Sequence, residues 1–209
     1  MKIIGSNGIL PTENGYYPLA PGKLAAFTVY YEYRAPFNPK SPKWPAGTTL
    51  HRLGPNDGAR YRSLFRTVGA PLLWTTRIMA SDEELEKILS STDVEVYAAK
   101  SGEKDIGLIE LNFKSEESVE IVYIGVISSE NGKRVGAGLV SHALLRARER
   151  NAHRLWLHTC HFDSPGASRF YERFGFKPIS TAVEIMDDPR LNGTLPSDLA
   201  PHIPLVPFA

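Results

Sequence analysis

Residues 120–150 read EIVYIGVISSENGKRVGAGLVSHALLRARER, and this stretch decides the fold. Apart from Glu120, residues 119–127 are apolar on both alternate faces, as suits a strand buried on both sides in the middle of a sheet. A turn-rich break follows, Ser-Ser-Glu-Asn-Gly, and then Gly136, Val140, Ala143, Leu144 and Ala147 share one face at the helical period. Arg146, Arg148 and Arg150 crowd the last turns, where cations suit the helix dipole. A strand that feeds a tight loop into a helix is an anion site, because the first N–H groups of the helix have no partner within it. Gly132, Gly136 and Gly138 keep the backbone bare for a close approach, and Lys133 and Arg134 add positive charge. The loop is neither GxxxxGK(S/T) nor GxGxxG, which excludes a Walker loop and a dinucleotide fingerprint.

Here the chain resembles the GNAT family, the acyl-CoA-dependent N-acyltransferases. Their signature in this loop is Gln/Arg-x-x-Gly-x-Gly/Ala, whose backbone amides hold the CoA pyrophosphate. Two registers are open. Without gaps, Asn131 takes the Gln/Arg place, Arg134 replaces the first glycine and Gly136 fills the last position. Shifted by two, Lys133, Gly136 and Gly138 fall on the motif, with a longer loop. The ungapped register keeps strand and helix in phase. The resemblance implies that residues 133–138 line the pyrophosphate, and that Arg134 is tolerated if its backbone stays at negative φ.

Downstream, HRLWLHTC (153–160) reads as a strand and DSPGASRFYERFGF (163–176) as a helix. Together they are similar to the family's second cofactor segment, which ends in Tyr-x-x-x-Gly-Phe. The chain also resembles a subset of bacterial members that carry WLHTC and, after the domain, a segment like DDPRLNGTLPSDLAPHIPL. The likeness covers about residues 27–206.

The composition excludes other classes. The 209 residues suit one domain with a sizeable core. Net charge is +1, with 22% charged and 42% hydrophobic residues, which calls for neither nucleic acid nor a membrane surface. Cys160 is the single cysteine, so a reducing compartment is the simplest reading. The N-terminal run resembles no signal peptide and no stretch reaches transmembrane length, so a cytoplasmic protein is expected. Whether the Pro-rich arms pack on their own subunit or on a neighbour, as a homodimer, stays open.

In order along the chain, residues 1–26 read as an irregular arm, strapped down by Ile9, Leu10, Tyr16 and Tyr17. Strands are expected at 27–33 and 48–53, with a Pro-rich loop between them, and a helix at 58–68. A second helix opens at Ser81 with a capping box. Strands follow at 94–99 and 106–113, then the central strand, helix and second segment already quoted, and a strand at 177–186. A Pro-rich tail over 187–209 is expected to pack on the 27–186 domain. The order ββααβββαβαβ favours a mixed α/β sheet with helices on both faces. The resemblance implies the GNAT fold, a mostly antiparallel sheet splayed at the cofactor site.

Transfer of an acyl group from a thioester to an amine needs a held donor, a neutral amine, an oxyanion site and a proton for the thiolate. Gly125, within a Val/Ile strand, marks a bulge or a close approach. Backbone at Ile124, Gly125 and Val126 is then expected to hold the pantetheine, with the Val126 N–H toward the thioester oxygen. Glu120 is the candidate general base, read as sharing a face with Val122, Ile124 and Val126, where burial raises its pKa; Glu110 is its rival. Tyr171 is the candidate general acid, although a core aromatic fits the same helical stripe. The candidate cofactor contacts are Ile124, Gly125, Val126, Asn131, Gly132, Lys133, Arg134, Val135, Gly136, Ala137, Gly138 and Ser164. Ser164 equally suits a helix N-cap. His158 and Cys160 share a strand face that His161 does not, and a closed zinc site wants four ligands, so no metal is expected. Residues 69–80 either border the acceptor or simply cover the core. The expected activity is transfer of acetyl from acetyl-CoA to a primary amine of a small molecule. The alternatives are a non-catalytic acyl-CoA-binding module and a protein N-acetyltransferase.

Overall fold

Alternating apolar residues set the sheet, and helical stripes set what covers it. The computed structural model describes residues 14–38 and 44–207; of the expected strap, Ile9 and Leu10 lie outside them, and Tyr16 and Tyr17 are exposed rather than packed down. Seven strands form one mixed sheet: β1 (Lys23–Arg34), β2 (Thr48–Arg52), β3 (Val94–Ser101), β4 (Lys104–Asn112), β5 (Ser118–Val126), β6 (Arg154–Cys160) and β7 (Lys177–Asp187). Their spatial order is β2-β3-β4-β5-β6-β1-β7. Every adjacent pair is antiparallel except β5 with β6. β1 begins at Lys23, before the expected 27, because Lys23 to Ala26 already pair with β7.

Among the described residues, five α-helices accompany the sheet: α1 (Gly58–Gly69), α2 (Thr76–Met79), α3 (Asp82–Ser90), α4 (Val135–Glu149) and α5 (Ala167–Arg173). The short α2 adds one element to the expected order, inside the segment read only as an apolar stretch. α3 starts with the predicted box, in which the Ser81 hydroxyl accepts from Glu84 N–H and the Glu84 carboxylate accepts from Ser81 N–H. α1 packs on one face of β4 and β5, where Tyr61 reaches Glu110. α4 packs on the other face through Val135, Leu139, Val140, Ala143, Leu144 and Ala147. Gly136 does not belong to that buried stripe; it is partly exposed at the head of the helix.

On the α4 face, Glu95 is fully buried and accepts two hydrogen bonds from Arg146 and one each from Arg150 and Tyr97. The chain after β7 is organised around one side chain. The buried Arg190 guanidinium donates twice to Asp188 and to the carbonyls of Leu199, Ala200, Ile203 and Pro204. Six donations from a single cation replace the regular ladder that this Pro-rich segment cannot make.

In β5 the expected face of Glu120 is corrected, and the two readings of Gly125 are decided. The bulge falls at Val122 rather than Gly125: Ile121 faces Leu111 and Tyr123 faces Glu110, which leaves Val122 without a partner. One extra residue reverses the alternation beyond it. Glu120 therefore shares a face with Tyr123 and Gly125, not with Val122, Ile124 and Val126. Gly125 is instead the close approach: a methyl group there would lie 2.4 Å from Val68 Cγ1 and 3.5 Å from the Trp74 ring.

Candidate active site

β5 and β6 pair only at their starts, and the last pair is Glu120 with Trp156. Beyond it the two strands separate. Ile127 N–H donates to Ile106 carbonyl on β4. By strand alternation, the amides of Val126 and Ile124 then point the opposite way, into the opening. The separation thus creates an unpaired strand edge inside the protein, which a chain of amides can join.

A cleft of about 570 Å³ occupies this opening. Its walls include Ile124, Gly125 and Val126 on one arm and Leu157 and His158 on the other. At the α4 end lie Asn131, Gly132, Arg134, Gly136 and Ala137, and at the α5 end Ser164, Phe170 and Tyr171. The cleft therefore passes through the sheet. α4 and α5 flank it on one face, and Leu72 and Trp74, between α1 and α2, on the other.

At the α4 end, Gly138 N–H makes the first helical bond, to Arg134 carbonyl. The N–H groups of Val135, Gly136 and Ala137 precede it, and none bonds to an acceptor among the described residues. Three amides with the helix dipole behind them form an anion cradle. Arg134 caps this helix at φ 71° and Gly132 sits at φ 77°. The condition of negative φ at Arg134 is not met: the arginine stands in a left-handed conformation that suits glycine and costs a side-chain-bearing residue about 1–2 kcal/mol. That geometry fits the ungapped register, in which Arg134 takes the place of the motif's first glycine.

Three expected contacts are not brought to the cleft wall. Lys133 is exposed and its Nζ lies 3.2 Å from Glu130. The Val135 side chain is buried in the core, so its N–H alone faces outward. Gly138 packs against Trp44, where a methyl group would meet the ring at 2.4 Å. Ser164 lines the cleft but is not the helix cap. Gly166 takes that place, and α5 starts at Ala167.

Glu120 stands at the apex of the opening, half-buried, just before the cleft wall begins. Burial raises its carboxyl above the ordinary range, against the opposing pull of nearby His158. Glu110 differs. Its buried carboxylate accepts from Tyr61 hydroxyl and twice from Arg77, at 2.7 and 3.1 Å. These bonds tie the carboxylate into the α1 face rather than presenting it to the cleft.

Tyr171 is buried between the Tyr31, Phe170 and Phe176 rings and borders the cleft. No hydrogen bond to its hydroxyl occurs among the described residues. Burial, with Asp163 nearby, pushes its phenol up, so it stays protonated. Burial also pushes the Cys160 thiol up to about 11, which leaves little thiolate for nucleophilic chemistry.

The structure adds residues that the sequence did not single out. Trp74 donates its indole N–H to Asp163 at 3.1 Å, and Asp163 is itself held by Thr159 hydroxyl and Cys160 N–H. Tyr123 hydroxyl lies 2.5 Å from Thr76 Oγ1, with Arg77 over its ring. Asp163 joins residues 89 positions apart, which no local pattern announces. Tyr123 was hidden by the bulge at Val122, just before it in the strand.

The profile of the acetyltransferase (GNAT) family matches residues 66–176, so the chain belongs to this family. Among curated proteins none matches. Solved structures agree on the fold. A conserved protein of unknown function from Staphylococcus epidermidis superimposes with TM-score 0.63 at 16% identity over 80% of this chain and 63% of that one. The chain thus spans less than two thirds of that protein. An aminoglycoside acetyltransferase from an uncultured soil metagenomic sample gives 0.53 at 20% identity, over 61% and 87%. A GNAT acetyltransferase from Elizabethkingia anophelis with acetyl-CoA bound gives 0.51 at 19%, over 68% and 99%. The family fold supports an acyltransferase. No helix among the described residues is long and apolar enough to cross a membrane.

Proposed function

We propose that this protein transfers an acetyl group from acetyl-CoA to the primary amine of a small molecule. One observation carries the reading: a single cleft runs from unbonded helix amides at Val135, Gly136 and Ala137 to an unpaired strand edge at Ile124 and Val126. The first feature suits a diphosphate and the second a pantetheine arm. Their continuity matches the two chemically distinct ends of acyl-CoA.

The chain's own groups then divide the work. Glu120 takes a proton from the acceptor ammonium, directly or through water, and its raised pKa brings it nearer that task. The freed nitrogen bonds to the thioester carbon while the Val126 N–H faces the developing oxyanion. As the carbon–sulfur bond breaks, Tyr171 gives its proton to the sulfur. Glu120 and Tyr171 project on opposite faces of the sheet, so acid and base reach the same carbonyl from two sides of the opening. The roof from Leu72 to Trp74 narrows the acceptor side and favours a small molecule over a protein segment.

Release of free thiol from acetyl-CoA, measured with a panel of amines, tests the proposal. Amine-dependent thiol release is the expected outcome. Tight CoA binding without turnover across the panel would instead identify a binding module.

A further inference from the structure

Trp74 spans the two arms of the opened sheet. On one side its ring lies over Gly125, 3.5 Å from where a Cβ would stand, and that space has no room for a side chain. On the other side its indole N–H donates to Asp163 in the loop after β6. The ring is fixed from behind as well. Phe65 and Tyr123 contact it at centroid distances of 5.8 and 5.3 Å. A methyl group on Gly69 would lie 2.7 Å from it, so only glycine fits there. Leu73, immediately before it, is held at φ 60° while buried, an expensive conformation for a leucine that aims the next side chain. Trp74 also lines the cleft.

A donor threaded between β5 and β6 presents its thioester beside Val126, one residue from Gly125. The acyl chain beyond the carbonyl then advances toward the α1 face and meets the indole. We infer that Trp74 sets the acyl length, closing the donor site beyond about two carbons, with Asp163 as the residue that holds it in place. This rests on the proposed use of acyl-CoA and adds which acyl-CoA is used. An indole braced on four sides cannot swing aside as a methionine or leucine could, so each added methylene must displace packed atoms.

The test compares acetyl-, butyryl- and hexanoyl-CoA with one accepted amine. In the wild type kcat/KM is expected to fall at least about 10-fold from acetyl to butyryl, within the range for extra methylenes in a shaped pocket. Trp74→Leu should raise the butyryl-to-acetyl ratio by about 10-fold or more, with Trp74→Phe intermediate, on the same scale of pocket discrimination. A wild type that uses hexanoyl-CoA as well as acetyl-CoA overturns the inference, and so does a Leu variant whose ratio does not move. Because the readout is a ratio between donors, general loosening of the fold does not mimic it. If neither variant folds, the wild-type chain-length profile decides alone. If no amine is acylated from any donor, the catalytic reading has failed, and calorimetry of hexanoyl-CoA against acetyl-CoA still reads the gate. Weaker binding of the longer donor supports it, and equal binding overturns it.

Discussion

Glu95 and Glu120 lie on opposite faces of one sheet, and burial alone predicts the direction of only one of them. Glu95 is the more deeply buried. Burial by itself raises its carboxyl, yet hydrogen bonds from Arg146, Tyr97 and Arg150 bring it down to about 2. Glu120 is half-buried and faces no cation of that kind, so burial lifts it. The α4 face answers Glu95 with cations, whereas the cleft face answers Glu110 with Arg77 and Tyr61 but gives Glu120 no ion pair among the described residues. Four buried side-chain atoms lack a hydrogen-bond partner among the described residues. Of these, only His158 lines the cleft; Glu32 and Arg154 share its sheet face but pair with each other at 3.6 Å, and His142 lies on α4. Unspent bonding capacity next to a cleft is capacity available to a substrate, whereas spent capacity is scaffold.

Removing Glu95 gives the largest expected effect and sharpens this contrast. Glu95→Ala strands two arginines against an apolar face and should cost about 3–5 kcal/mol of stability, as broken buried pairs do. Thermal or denaturant unfolding measures it, and CoA affinity of the folded fraction should not change. The pH sign follows from the lowered pKa. The Glu95 contribution is fully present above the ordinary carboxylate value of about 4.3 and is lost as pH falls toward about 2. The variant should therefore lose less stability than the wild type across that acid window.

Tyr171→Phe comes next. It removes one hydroxyl that has no structural hydrogen bond, so folding should survive while kcat falls about 10³-fold, within the range for general acid catalysis. The KM for acetyl-CoA should barely change. Unchanged turnover would make Tyr171 a core aromatic only.

Glu120→Gln should lower the neutral-pH rate by about 10²-fold, the lower end for a general base. Wild-type activity should rise with pH as Glu120 loses its proton, above the ordinary carboxylate range because its pKa is raised. The variant should lose that rise. A wild-type profile in the variant would return attention to Glu110, despite its bonds to Tyr61 and Arg77.

Arg134→Gly is the smallest. Relief of the left-handed arginine is worth about 1 kcal/mol, offset in part by the greater freedom of glycine when unfolded. Stability should hold or rise slightly, and CoA should bind within about 3-fold, because backbone amides and not the guanidinium form the cradle. A large loss of affinity would assign the guanidinium a direct role.

Much of this was legible in the sequence, for identifiable reasons. The strand-loop-helix of residues 120–150 carries its own periodicities, and Ser81 and Glu84 announce their helix by spacing alone. Gly175, at φ 93° after α5, is the expected terminating glycine. What escaped was non-local. The bulge at Val122 depends on how β4 pairs with β5, and it turned Glu120 to the other face. Ser164 and Gly166 compete to start a helix of only seven residues, and the chain alone does not rank them. The Trp74–Asp163 bond and the Gly138–Trp44 contact join distant segments, so neither leaves a local trace. The tail read as merely Pro-rich because one buried guanidinium, Arg190, does the work that periodicity does elsewhere.

The central claim is that CoA diphosphate rests on the first amides of α4. An amide-resolved NMR titration of the intact protein with CoA tests it most directly. Saturable shifts are expected at Gly132, Val135, Gly136 and Ala137, with smaller ones at Ile124 and Val126. Shifts confined to the neighbouring hollow around Arg34, Asn38 and Lys177, or no shifts at all, would contradict it.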